Sequence, residues 1–232
     1  MKRRSFFKKS AKGVLAAGLL PITGSVAAHN IETGENKLIH FNEPSGTKKK
    51  DPKRRKTLNF DVAVIGAGMA GISAAVSAAR NGAKVVLVQD RPVLGGNASS
   101  EMRVTVNGVQ ALKNKHKVER ETGIVEETLI ENWHYNPQAS YHVWDHVLYN
   151  YVVREKNLTL LLNTSAMDVV MEGNTINSAI CWQSTTETMF TLNADMFCDC
   201  SGDGLVAATA GAEYRMGREG KAEFNESFAP DE

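Results

Sequence analysis

Cysteine is scarce, no apolar run is long, and positive charge is thin beyond the first quarter of the chain; each shortage excludes something. Only Cys181, Cys198 and Cys200 occur in 232 residues. An iron–sulfur cluster needs about four thiolates at close spacing, so these three cannot supply one. Cys198 and Cys200 alternate on an apolar run and share one side, where a disulfide between them would be strained. With the lone Cys181 they read as small core residues. The apolar stretch Val14 to Ile22 is interrupted by glycine and Pro21 and is too short for a spanning helix. No internal repeat or low-complexity tract stands out beyond one basic run.

Charge is unevenly divided. Residues 1–56 hold 14 Lys/Arg against 4 Asp/Glu, whereas residues 57–232 hold 13 against 22. The net charge of +1 therefore hides an acidic globular part of about −9 behind a basic leader. That balance argues against a nucleic-acid partner. His142 and His146 lie one helical turn apart, a spacing that can ligate a metal. No third ligand of the metalloprotease pattern accompanies them, so they read as the polar face of a helix and no metal is expected.

The basic leader has internal structure. Met1-Lys2-Arg3-Arg4-Ser5-Phe6-Phe7-Lys8 carries an arginine pair, then the apolar stretch, then the small residues Ser25-Val26-Ala27-Ala28 suited to a signal peptidase. This resembles a twin-arginine signal peptide over residues 1–28. It implies export in folded form to the periplasm or beyond, with the export machinery as partner and no stable membrane insertion. No cysteine for a lipid anchor lies near the cleavage site. Residues 29–57, including Lys48 to Lys56, read as a disordered basic linker. The folded domain is expected over residues 58–232.

Phe60 to Arg91 has the layout of a strand–turn–helix–strand unit that binds a dinucleotide. Asp61 to Ile65 is short and apolar, as in a parallel strand buried on both faces. Gly66-Ala67-Gly68-Met69-Ala70-Gly71 then opens an alanine-rich helix ending near Arg80-Asn81-Gly82, and Lys84 to Val88 forms a second strand. Gly66 suits the tight turn, Gly68 the approach of a pyrophosphate, and Gly71 the packing of helix on strand. The helix N-terminus, with Met69 and Ala70, offers N–H groups and a positive dipole end to phosphate.

Two further motifs narrow the reading. The second strand runs into Gln89-Asp90-Arg91 and the pair Gly95-Gly96 before Asn97, and far downstream Ala194 to Cys200 leads into Ser201-Gly202-Asp203-Gly204. In this order the three motifs resemble the FAD-dependent oxidoreductases of the glutathione-reductase-like, two-dinucleotide-binding class. The runs VLVQDRPVLGGNASSEMRV and CSGDGLVAATAGA most resemble the family that includes heterodisulfide-reductase-subunit-A-like proteins, over about Phe60 to Glu219. Some of those relatives carry 4Fe–4S clusters, for which this chain has no ligand set. The resemblance implies FAD as cofactor and hydride or electron transfer on a small-molecule substrate, with a redox partner as a further candidate. It places Gly66, Gly68 and Gly71 at the pyrophosphate. Arg91, Gly95, Gly96 and Asn97 would lie along the cofactor toward the flavin. Asp203 would bond the ribityl chain or a phosphate-bound water from the FAD-contacting turn it shares with Ser201 and Gly202, and the Ala166 backbone would lie at the adenine edge. The family has Glu where this chain has Gln89. Either Gln89 takes the adenosine ribose through its amide oxygen, without charge assistance, or Asp90 does. An NAD-binding dehydrogenase domain is the alternative, but it leaves the Gly-Gly and Ser-Gly-Asp-Gly motifs unexplained.

The fold expected is α/β, a doubly wound, Rossmann-like FAD-binding domain with a parallel sheet and an inserted β-meander. Helices are read over Val118 to Asn136 and Ser140 to Lys156, the second aromatic-rich with Tyr141, Trp144, Tyr149 and Tyr151. Strands follow at Leu158–Leu162, then a meander at Ala166–Met171, Thr175–Gln183 and Thr186–Leu192 covering one sheet face, then a return strand at Asp195–Cys200. Flavoenzymes of this class run longer, so the chain reads as an N-terminal portion, with a truncated, non-catalytic fragment as a further alternative.

Overall fold

The computed structural model describes residues 54–106 and 122–231. The expected signal peptide, most of the expected linker and the helix start at Val118 lie outside the described residues. Strand β1 (Arg54–Ile65), helix α1 (Met69–Arg80) and strand β2 (Val85–Val88) come first, followed by a 3₁₀ turn at Gly96–Ala98. Helices α2 (Gly123–Tyr135) and α3 (Tyr141–Val153) lead to strands β3 (Leu158–Leu161), β4 (Thr164–Glu172), β5 (Thr175–Gln183) and β6 (Thr188–Asp199). Short helices α4 (Leu205–Thr209) and α5 (Lys221–Phe224) close the described chain.

One six-stranded sheet runs in the order β3-β2-β1-β6-β5-β4. The first four are parallel neighbours, while β4, β5 and β6 pair antiparallel. Alternation along β1 and β2 divides the core in two. Val64, Val85 and Leu87 pack with Ile72, Ala75, Val76 and Ala79 of α1 and with Trp144, Leu148 and Tyr151 of α3. The buried positions of α1 recur every three or four residues, and its alanines let the helix lie close on the strands. Ala63, Ile65, Val86 and Val88 face the opposite way, into a core completed by Ala179, Cys181, Phe190 and Leu192 of the meander. Leu87 is fully buried, and Leu87→Ala would cost about 2–5 kcal/mol, because little can collapse into the space left between strand and helix.

Three expectations are corrected. The linker does not extend to Thr57: β1 begins at Arg54, and Arg54 to Thr57 pair in register with Thr188 to Thr191. Exposed basic side chains tolerate strand conformation once a partner strand satisfies the backbone. The expected strands Thr186–Leu192 and Asp195–Cys200 are one continuous strand, β6, bridged at Asn193, whose side-chain amide donates to Asn59 Oδ1 at 2.8 Å. Consequently the meander belongs to the same sheet and is no separate layer. It still covers the second face, because alternation breaks near Asp61 and Asp195. Phe60 and Ala63 join the same core, as do Ala194 and Phe197, so both long strands turn over there.

Candidate functional site

The glycine turn sits where parallel strands end, the usual place for a ligand in such sheets. Gly66 has φ +97° and donates to the Val88 carbonyl at 2.8 Å. A Cβ there would stand 2.2 Å from the Cys200 carbonyl oxygen, so only glycine fits. Gly68 caps α1 in an extended conformation, with no side-chain cap and no acidic residue in the first turn. A Cβ at Gly68 would meet nothing within 4 Å. Its open side and the bare helix end form a cradle for an anion. Gly71 works elsewhere: its Cβ would fall 1.8 Å from the Gly66 carbonyl oxygen, against the turn's backbone. It does not border the cleft, and its surroundings give it the role of close packing between helix and turn.

Ala67, between these glycines, joins three motifs. Its N–H donates to Gln89 Oε1 at 2.7 Å, and its carbonyl accepts from the Gly95 N–H at 2.8 Å. Gly68 and Gly95 form a parallel bridge, and a Cβ on Gly96 would come within 3.2 Å of Gly68 Cα. The Gly-Gly loop is fastened from below by α3. Trp144 Nε1 donates to the Ala98 carbonyl at 3.0 Å, Asp145 Oδ1 accepts from the Ser100 N–H at 2.9 Å, and Leu148 presses on Gly95. Trp144 is therefore buried structure under the loop. Tyr151, equally buried, donates to Glu127 Oε2 at 2.6 Å and accepts from Arg80 at 3.1 Å. Burial first, and then the bond to Glu127, push its hydroxyl up to about 12.

The third turn is held by Asp199 at the end of β6. Its carboxylate accepts from the Ser201 hydroxyl at 2.7 Å, the Ser201 N–H at 3.1 Å and the Ala207 N–H at 2.9 Å. The Ser201 hydroxyl in turn accepts from the Leu205 N–H at 3.0 Å, closing the first turn of α4. Partial burial alone would raise the Asp199 pKa, but the N–H of Ala207, the Ser201 hydroxyl and the remaining N–H groups outweigh it. They hold the carboxyl below its ordinary value. Asp203 is left exposed at the turn's tip.

The three turns line one cleft of about 630 Å³, within the range of ligand clefts. Gly66, Gly68, Met69, Ala70, Gln89, Asp90, Arg91, Gly95, Gly96, Asn97, Ala166, Ser201, Gly202 and Asp203 all border it. Asp90 is exposed there, and Arg91 pairs loosely with Glu101 at 3.4 Å. Val104, Thr105, Thr164 and Ser165 line it too, and the motif reading missed them because they carry no local signature. Asp199 was missed as well, although an acid just before a small-residue helix is a capping signal. Cys198 and Cys200 pack on the α1 side beside the turn, and burial first, then the neighbouring Cys198 and Asp199, raise the Cys200 thiol. Burial pushes the Cys181 thiol up to about 12. His142 and His146 are exposed on α3, and among the described residues no three candidate ligands meet at a metal-binding distance.

An α/β sheet with a bare helix end, two interlocked glycine loops and a third turn at its parallel strand ends defines a dinucleotide-binding protein. The family model for FAD dependent oxidoreductases matches residues 61–231, and the chain belongs to that family. Its cofactor is FAD, and the Gly-Gly and Ser-Gly-Asp-Gly turns expected to meet it border the same cleft as the glycine turn. A fumarate reductase (cytochrome) from Shewanella frigidimarina is 60% identical over 38 residues, 16% of this chain and 7% of that protein. Sarcosine oxidase subunit alpha from Corynebacterium sp. (strain U-96) is 40% identical over 71 residues, 31% of this chain and 7% of that protein. The matched stretches are thus a small part of these longer relatives. Among solved structures, a geranylgeranyl bacteriochlorophyll reductase-like protein from Thermoplasma acidophilum is 18% identical, with TM-score 0.47. That match covers 68% of this chain and 43% of the other.

Proposed function

We propose that the chain performs flavin-mediated hydride or electron transfer on a small-molecule substrate, after folded export by the twin-arginine route to the periplasm or beyond. The observation that carries the redox part is the convergence of three glycine-bearing turns on one cleft, with Gly68 opening into it. In this reading the N–H groups at Met69 and Ala70 and the dipole of α1 hold the pyrophosphate. Gly95, Gly96 and Asn97 let the cofactor run close to the backbone, and the Asp203 carboxylate accepts from ribityl hydroxyls. The flavin, when bound, supplies the redox chemistry, while the protein binds, orients and shields it.

Export is supported by Arg3-Arg4 ahead of the apolar stretch, and folded export suits a protein that collects its cofactor before crossing the membrane. The partners implied are the substrate, the export machinery and a redox partner. Two experiments test this reading. Purified chain should show flavin absorbance and retain FAD over NAD in equilibrium dialysis; tighter retention of NAD would refute the cofactor assignment. Replacing Arg3 and Arg4 by lysine should leave the protein in the cytoplasm, and normal periplasmic levels of that variant would point to general secretion.

A further inference from the structure

We infer that Gln89 makes the sugar end of the cleft a hydrogen-bond donor site, one that accepts a 2′-phosphorylated adenosine about as readily as an unmodified one. The inference rests on the FAD reading above. Gln89 is 4% exposed and anchored on all sides but one: its N–H donates to the Leu161 carbonyl at 2.9 Å and its carbonyl accepts from the Thr164 N–H at 2.8 Å. The side-chain oxygen is occupied by the Ala67 N–H at 2.7 Å. A backbone N–H can only donate, so the orientation of the amide is fixed by chemistry: oxygen to the turn, nitrogen away from it. The nitrogen meets no acceptor among the described residues, and the residue borders the cleft.

Position supplies the ligand class. The residue about 20 positions beyond a dinucleotide-binding glycine turn reads the ribose, and an acidic group there accepts from its 2′-hydroxyl. Gln89 reverses that polarity. Its N–H groups take an acceptor, which can be a hydroxyl oxygen or a 2′-phosphate oxygen, and it brings no negative charge to repel the phosphate. Arg91 borders the same cleft and is only loosely engaged by Glu101 at 3.4 Å, both side chains being partly exposed.

The test compares AMP with adenosine 2′,5′-bisphosphate as competitors of FAD, using the whole chain. The unmodified protein should bind the two within about tenfold of each other. Gln89→Glu keeps an acceptor for the Ala67 N–H but turns a carboxylate toward the sugar. It should tighten FAD several-fold through a charge-assisted bond and weaken the bisphosphate by roughly tenfold or more relative to AMP. Opposite shifts from one substitution are not what a merely structural role produces. An unchanged ratio would overturn the inference, as would a shift produced by Asp90→Asn and not by Gln89→Glu. If the carboxylate variant does not fold, Gln89→Met should lower affinity for the bisphosphate more than for AMP, and an equal loss would overturn it. Failure of the unmodified chain to bind FAD refutes the flavin reading and this inference together; FAD binding with an unmoved ratio refutes this inference alone.

Discussion

Gly68→Val should separate binding from folding in a way that Gly71→Ala cannot. At Gly68 the backbone is extended, with φ −68° and ψ −176°, a region valine adopts readily. The new Cβ meets no atom within 4 Å, so the branch point of the side chain enters open space. Replacing glycine where the backbone is compatible stabilises a protein by roughly 0.4–1 kcal/mol through the unfolded chain. Thermal unfolding should therefore stay put or rise by a degree or two. The side chain projects into the cleft beside the N-terminus of α1 and bars a pyrophosphate from the N–H groups. Each hydrogen bond to a charged group is worth about 1.5–3 kcal/mol, so loss of two amounts to about 3–6 kcal/mol, more than a hundredfold in Kd. Gly71→Ala drives a methyl to within 1.8 Å of the Gly66 carbonyl oxygen, which is backbone and cannot yield. It should lower the melting temperature sharply and lose FAD as a consequence of unfolding. Flavin titration by fluorescence, paired with differential scanning calorimetry, reads both quantities. FAD binding within tenfold of the unmodified chain in a well-folded Gly68→Val would refute the placement of the pyrophosphate.

Three further outcomes are expected. Asp199→Asn should cost about 1–3 kcal/mol by weakening the charged bonds to Ser201 and Ala207. Because the folded carboxyl titrates below its ordinary value of 3.8, its stabilisation is complete above that pH and disappears as pH falls through the folded value. The two proteins' urea midpoints should accordingly converge in acid and stay apart at neutral pH; parallel curves would refute the role. Trp144→Phe leaves the buried Ala98 carbonyl without its donor, and should cost about 1–3 kcal/mol and loosen FAD by loosening the Gly-Gly loop. Tyr151→Phe removes the hydroxyl shared by Glu127 and Arg80 and should lower stability with little effect on FAD, since no part of that cluster borders the cleft.

The glycine turns were legible because each imposes a local backbone demand that only glycine meets. Gly66, Gly95 and Gly96 all have positive φ, and the residues around them were identified with their neighbours in the cleft. What escaped depends on partners far away in the chain. Gln89 reaches back 22 residues to Ala67, and Trp144 reaches 46 residues to Ala98; no periodicity within a short window signals either bond. The start of β1 escaped for the same reason. Arg54, Arg55 and Lys56 look like solvated tether until Thr188, Met189 and Phe190 arrive to pair with them. The continuity of β6 was hidden by Asn193, a poor strand former that is satisfied here by Asn59.

The pairing of β1 with β6 also sets a schedule. Asn59 and Asn193 are 134 residues apart, and the floor of the glycine turn is the Cys200 backbone beneath Gly66. At a ribosomal pace of roughly 5–20 residues per second, β1 waits on the order of 7–27 seconds before its partner has been synthesised. Throughout that interval a twelve-residue strand with a buried apolar end has an open edge and the phosphate cradle has no base. The floor of the phosphate cradle is therefore complete only once β6 and Cys200 have been made, and the edge of β1 that β6 will cover stays unpaired until then.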